Sequence, residues 1–105
     1  MEIQFGRKHH LFKIEEPHAS LSGMCEGNEV WILSLNVDNE SRGKGIGAEM
    51  MRCAFQQFYG QTFYLFALAE EPDRQQALER FYRRLGFEVF GPQKAGTATL
   101  MRRIL

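Results

Sequence analysis

The sequence predicts a mixed α/β (α+β) fold, one sheet with two helices inserted near its middle. Three observations carry this. Two apolar runs rich in β-branched and aromatic residues, 30–37 and 62–68, read as strands. Between them Ile46, Met50, Ala54 and Phe58 recur every four residues, the apolar stripe of a helix. A second helical pattern (Ala77, Leu78, Phe81, Leu85) follows the second run.

The elements follow in order. Residues 2–6 and 10–16 are candidate strands, and Pro17 ends the second because it cannot donate to a ladder. Residues 19–26 are a third, closed by a Gly27-Asn28 turn. Residues 30–37 are apolar on both faces at their start, which places that strand centrally. The polar, glycine-rich stretch 38–45 is a loop. A helix runs over 46–59 to a stop at Gly60. Pro72-Asp73 introduces the second helix, with Asp73 and Gln76 at capping-box spacing and Gly86 as its left-handed cap. Residues 87–90 and 97–105 close the sheet across a loop containing Gly91, Pro92 and Gly96. The sum, β-β-β-β-α-β-α-β-β, predicts one right-handed parallel crossover inside a mixed sheet.

The chain has 105 residues, the size of a single domain over 1–105. Thirteen basic and thirteen acidic residues cancel, so nothing draws the whole molecule to nucleic acid, and self-association meets little charge repulsion. Cys25 and Cys53 form no CxxC pair and no cluster has zinc spacing, which predicts reduced thiols and no metal. Lys8-His9-His10 is a poor metal site, since neighbouring histidines on a strand face opposite ways. Arg80, Arg83, Arg84, Arg102 and Arg103 are basic edges of the kind usually solvated. No apolar run approaches the ~20 residues that span a bilayer, and the N-terminus lacks a signal-peptide core. The expected location is the cytoplasm.

Chemistry concentrates in Arg42-Gly43-Lys44-Gly45-Ile46-Gly47, which follows a strand and opens a helix. N–H groups at a helix start point outward, and the dipole adds about half a positive charge. The glycines admit a bulky phosphate and permit positive φ; Arg42 and Lys44 add charge. A pyrophosphate is the natural guest. A Walker loop is absent. A dinucleotide fingerprint matches at Gly43, Gly45 and Ala48, but five residues separate it from Val37, and one crossover cannot build a doubly wound sheet. The pattern [QR]-x-x-G-x-[GA] is met by Arg42, Gly45 and Gly47. A bare turn without ligand is disfavoured because strand, loop and helix signals agree.

With these residues, and with Phe81-Tyr82-Arg83-Arg84-Leu85-Gly86-Phe87, which looks like an F/L-Y-x-x-x-G-F signature, the sequence resembles the GNAT superfamily of N-acetyltransferases from about 30 to 90. The resemblance implies a mostly antiparallel sheet with a splayed central strand pair, binding acetyl-CoA as co-substrate. The main chain of Leu35, Asn36 and Val37 would pair with the pantetheine arm. Arg42, Gly43, Lys44, Gly45, Ile46 and Gly47 would cradle the pyrophosphate. Tyr82 would protonate the leaving thiolate; its bland alternative is a half-buried aromatic beside Leu78. Gln75 stands where the family often has a coenzyme-binding asparagine. Trp31 stands where some members carry a glutamate base, and is a candidate wall of the acceptor pocket. The amine must lose a proton, its pKa being about 10.4. Glu29, on the same strand face as Trp31, is the first candidate base; Glu70, Glu71 and His18 are others, and Glu70 also lies near the expected acceptor site. The interval 6–9 cannot hold the two helices that usually follow the first strand, so the member is trimmed on its substrate side. That suits a macromolecular amine acceptor, or completion by a second subunit. The expected reaction is N-acetylation of a primary amine by direct attack in a ternary complex. The competing classes are a non-catalytic acyl-CoA-binding or protein-interaction module and, more weakly, a nucleotide-binding fragment. A homodimer is expected from the trimmed front and from Phe63, Tyr64, Phe66, Phe87 and Phe90.

Overall fold

A computed structural model describes residues 1–7, 10–92 and 97–104. The Lys8-His9-His10 run and the closing loop around Gly96 fall partly outside them. The strands are β1 (Ile3–Phe5), β2 (Leu11–Glu16), β3 (Ala19–Glu26), β4 (Glu29–Val37), β5 (Thr62–Ala67), β6 (Glu88–Val89) and β7 (Thr99–Arg103). The helices are α1 (Ile46–Gln57) and α2 (Gln75–Arg84). The seven strands form one sheet in the order β1-β2-β3-β4-β5-β7-β6. Only the β4–β5 pair is parallel, as a connection through a helix requires.

The predicted order of elements is therefore realised, with shorter terminal strands. Two details differ. The polar loop after β4 contains a 3-10 turn, Asn39–Ser41. Pro72–Arg74 also forms a 3-10 turn, so α2 begins at Gln75 with Arg74 at its cap and no side-chain cap bond. The Asp73–Gln76 capping box does not form: Asp73 lies inside that turn, whose main chain closes from Arg74 N–H to Glu71 O at 2.9 Å.

Strand alternation decides what faces what. Val30 and Ile32 of β4, and Phe63, Leu65 and Ala67 of β5, are buried on one face. Both helices pack there. Phe55 of α1 meets Phe63 edge-on at 4.9 Å and Phe87 at 6.0 Å, and Phe87 meets Tyr82 of α2 at 5.7 Å. Met50, Met51 and Ala54 complete the α1 side of the core. Phe63 and Phe87, expected at a dimer interface, are thus core residues. On the opposite face, Trp31 stacks on Tyr64 at 4.8 Å and on Phe66 at 5.9 Å, and no helix among the described residues covers them.

The β3–β4 ladder is interrupted once. Ser22 pairs with Ser34 while Gly23 pairs with Ile32, leaving Leu33 as the extra residue of a β-bulge. Gly23 is required opposite it. A Cβ there would lie 2.5 Å from the Phe12 ring and 2.6 Å from the Trp31 carbonyl oxygen. No helix of the described residues is long and apolar enough to cross a membrane.

Because one of those contacts is main chain, Gly23→Ala should destabilise the fold by about 2 kcal/mol, the scale of an overpacked site. Urea unfolding monitored by tryptophan fluorescence measures this. A loss within noise would mean that the bulge is free to shift.

Candidate functional site

The bulge at Leu33 organises the centre of the sheet. Before it, even-numbered residues of β4 turn their main-chain polar groups toward β5, since Thr62 N–H donates to Asn28 O at 3.0 Å. After it the parity is reversed: Asp38 N–H donates to His18 O at 2.8 Å, so 34, 36 and 38 face β3. Leu35 and Val37 therefore face β5. Yet β5 is no longer there, because parallel pairing ends at Ile32–Leu65. The two strands splay beyond that rung. The gap is bordered on one side by the main chain of Leu35 and Val37, and on the other by that of Phe66 and Leu68. Sequence reasoning grouped Asn36 with its neighbours, but its main chain is committed to β3 opposite Ser20.

The glycine-rich loop closes one end of the gap. Gly43 and Gly45 both hold φ +81°, the left-handed region that glycine enters without strain, and no atom lies within 4 Å of where their side chains would start. Arg42, Gly43, Lys44 and Gly45 are all exposed. Gly45 caps α1 without a side chain, so the first N–H groups of α1 (Ile46, Gly47) have no side-chain cap. A Cβ on Gly47 would lie 3.5–3.7 Å from Phe81, Leu35 and Val37, which locates α2 and β4 beside the loop. Arg42 Nε donates to Val37 O at 3.1 Å, linking loop and gap directly.

The other predicted residues are distributed as follows. Tyr82 is 7% exposed, between Phe81 and Phe87. Burial pushes its phenol pKa above the usual 10.0, keeping it protonated as a proton donor must be. Gln75 points inward, its amide bonded to Ala67, Ala69 and Glu79. Glu29 is exposed on the open face and accepts a bond from Trp31 Nε1 at 3.2 Å. It precedes the bulge by four residues, roughly 13 Å along a strand. Glu70 is exposed just beyond β5. Glu71 lies 3.9 Å from Arg74, and His18 3.5 Å from Asp38, both pairs exposed. The open face continues past Trp31 to Phe66 and Leu68, each 61% exposed, and to Phe90, under the Arg102 guanidinium at 4.1 Å. Cys25 and Cys53 are not joined in a disulfide. Among the described residues no three His, Cys, Asp or Glu side chains form a metal-binding group.

The bulge and the aromatic stack were not anticipated. Gly23 inside a strand was the available signal for the first; the second follows only from the pairing of Trp31 with Tyr64 across β4 and β5.

Comparison with known proteins gives consistent findings. The family model described as "Acetyltransferase (GNAT) domain" matches residues 7–89. No curated protein matches the chain by sequence. Among solved structures, the chain is similar to the paiA N-acetyltransferase of Thermoplasma acidophilum in complex with coenzyme A (17% identity, TM-score 0.72), over 90% of this chain and 60% of that one. It is similar to the anti-CRISPR protein AcrVA5 (25% identity, TM-score 0.70), over 88% of this chain and 96% of that one. It is also similar to the ribosomal-protein-S18-alanine N-acetyltransferase of Escherichia coli (18% identity, TM-score 0.72), over 94% and 70%. The chain thus spans less than two thirds of the Thermoplasma protein and nearly all of AcrVA5.

The buried phenol also sets a stability dependence. A tyrosine whose folded pKa lies above its unfolded value contributes stability that is complete below pH 10.0 and is lost as pH rises toward the folded pKa. Denaturation between pH 9 and 11.5, by the same linkage, should therefore show a steeper alkaline loss in the wild type than in Tyr82→Phe. Parallel curves would mean that the phenol ionises freely in the folded protein.

Proposed function

The chain belongs to the GNAT acetyltransferase family, and from that premise we propose that it transfers an acetyl group from acetyl-CoA to a primary amine carried by a macromolecule. The observation that carries this is the continuity of the glycine loop, the N-terminus of α1 and the gap-facing main chain of Leu35 and Val37. The pyrophosphate would lie on the loop of residues 42–47. The pantetheine arm would run into the splay as an extra strand, pairing with Leu35 and Val37. An acetyl carbonyl at the narrow end would meet main-chain N–H groups near the bulge, each worth ~3–4 kcal/mol to a developing oxyanion. The neutral amine adds to that carbonyl within the ternary complex. The tetrahedral adduct then collapses, the C–S bond breaks, and the thiolate takes the Tyr82 proton.

The acceptor class is inferred from the open face. Trp31, Tyr64 and Phe66 stand beside the rung where the splay begins. The chain exposes 7241 Å², where a compact 12.2 kDa monomer is expected to expose roughly 6,000 Å². Exposed aromatic surface of this kind marks a docking site for another macromolecule. Glu29 is the proposed proton acceptor, acting through water given its separation from the bulge.

Calorimetric titration of acetyl-CoA into the wild type and Gly45→Glu tests the coenzyme site, with melting curves to check that the variant folds. Micromolar binding by the wild type, lost in the variant, supports the proposal. No binding by folded wild type overturns it. Against an amine-bearing protein acceptor, Tyr82→Phe should lower kcat by roughly 100-fold with coenzyme affinity unchanged. Phe66→Asp should raise the acceptor KM about tenfold. Sedimentation at micromolar concentration separates this from closure of the face by a second copy: a dimer broken by Phe66→Asp would assign the face to self-association.

A further inference from the structure

Gln75 has a task that its position in the sequence does not suggest. β7 begins at Thr99, opposite Ala67. The paired register of β5 and β7 ends at that rung, and the Gln75 side chain engages β5 there. Its Oε1 accepts from Ala69 N–H at 2.8 Å, and its Nε2 donates to Ala67 O at 2.9 Å. Ala67 O belongs to the last rung, opposite Thr99, and Ala69 N–H faces the same side one step beyond it. The same Nε2 reaches Glu79 Oε2 at 2.9 Å and approaches Thr99 Oγ1 at 3.4 Å. Thr99 Oγ1 in turn donates to Glu79 Oε2 at 2.9 Å. Glu79 is a largely buried carboxylate, 12% exposed, with Arg83 4.0 Å away. Three elements, α2, β5 and β7, meet in this tie.

We infer that Gln75 is a positioning residue that clamps β5 at the end of the β5–β7 ladder and so fixes the wide end of the splay. Phe66 and Leu68, whose main chain borders the gap, lie on either side of Ala67. Beyond Leu65 they have no support from β4, and the tie anchors the segment from the β7 side. With its amide engaged at four atoms, Gln75 is not a ligand of the coenzyme. This rests on the proposed coenzyme site for its catalytic consequence, but not for its structural one.

Hydrogen exchange of the Ala69 amide reads the tie without reference to activity. Gln75→Leu should speed that exchange at least tenfold, leaving amides of β2 and β3 unchanged. Gln75→Asn keeps the amide but falls short by one methylene, and should behave alike. In turnover, Gln75→Leu should lower kcat about tenfold while the acetyl-CoA dissociation constant stays within about threefold. Unchanged Ala69 exchange in Gln75→Leu overturns the inference. So does a tenfold or greater rise in that dissociation constant with unchanged exchange, which would return Gln75 to the coenzyme. Failure of the wild type to bind acetyl-CoA would remove the proposed function, and the exchange result alone would then decide the tie.

Discussion

One extra residue in β4 governs the centre of this molecule. Leu33 has no partner on β3, and the main chain after it is rotated by one residue's parity. Without the bulge, Leu35 and Val37 would bond to β3, and the main chain of Ser34 and Asn36 would border the gap in their place. With it, the polar groups of Leu35 and Val37 turn toward a neighbour that has already diverged. Unpaired main chain is costly when buried and useful when a ligand can complete it. Gly23 permits this arrangement, because only hydrogen fits between the Phe12 ring and the Trp31 carbonyl. One of the gap-facing carbonyls, that of Val37, accepts from Arg42 Nε of the glycine loop.

The divergence needs support from both sides. α1 buttresses β4, with Gly47 close enough to Leu35 and Val37 that a larger residue would press on them. β5 is held at its exit by β7 and by Gln75, the first residue of α2. Tyr82 lies one residue after Phe81, which packs near Gly47. The buried phenol is thereby fixed by the same helix whose first residue anchors β5.

Much of this was legible in the sequence. The apolar run of 30–37, the glycine loop and the four-residue spacing of α1 each carry a local signal that tertiary context did not override. The resemblance of residues 81–87 to a family signature pointed to Tyr82. Three features were not legible, for different reasons. Val30-Trp31-Ile32-Leu33 is apolar at every position, so the change of face between it and the alternating residues 33–37 leaves no clear mark on the pattern. Asp73 and Gln76 have capping-box spacing, but Pro72 starts a tighter turn one residue earlier and moves the helix start to Gln75. Gln75 itself is chemically suited to a ligand or to a strand edge, and its bonds to Ala67, Ala69 and Thr99 join positions far apart along the chain.

The open face follows from the same economy of elements. A central strand pair ordinarily requires cover on both faces, yet α1 and α2 pack on one side only. The aromatic side chains on the other side compensate in part by stacking on one another and on the Arg102 guanidinium. Stacking removes the ring faces from water but leaves edges exposed, as Phe66 illustrates, and Leu68 beside it is equally exposed. Such a surface is stable enough to be presented and apolar enough to gain from being covered. Its place beside the rung at which β4 and β5 part means that whatever covers it also closes over the narrow end of the gap. Excluding water there would strengthen the interaction of the bulge N–H groups with a developing negative charge. Under the proposed function, docking and chemistry at this site would be coupled by geometry: a partner that buried the aromatic face would also complete the environment of the acetyl group.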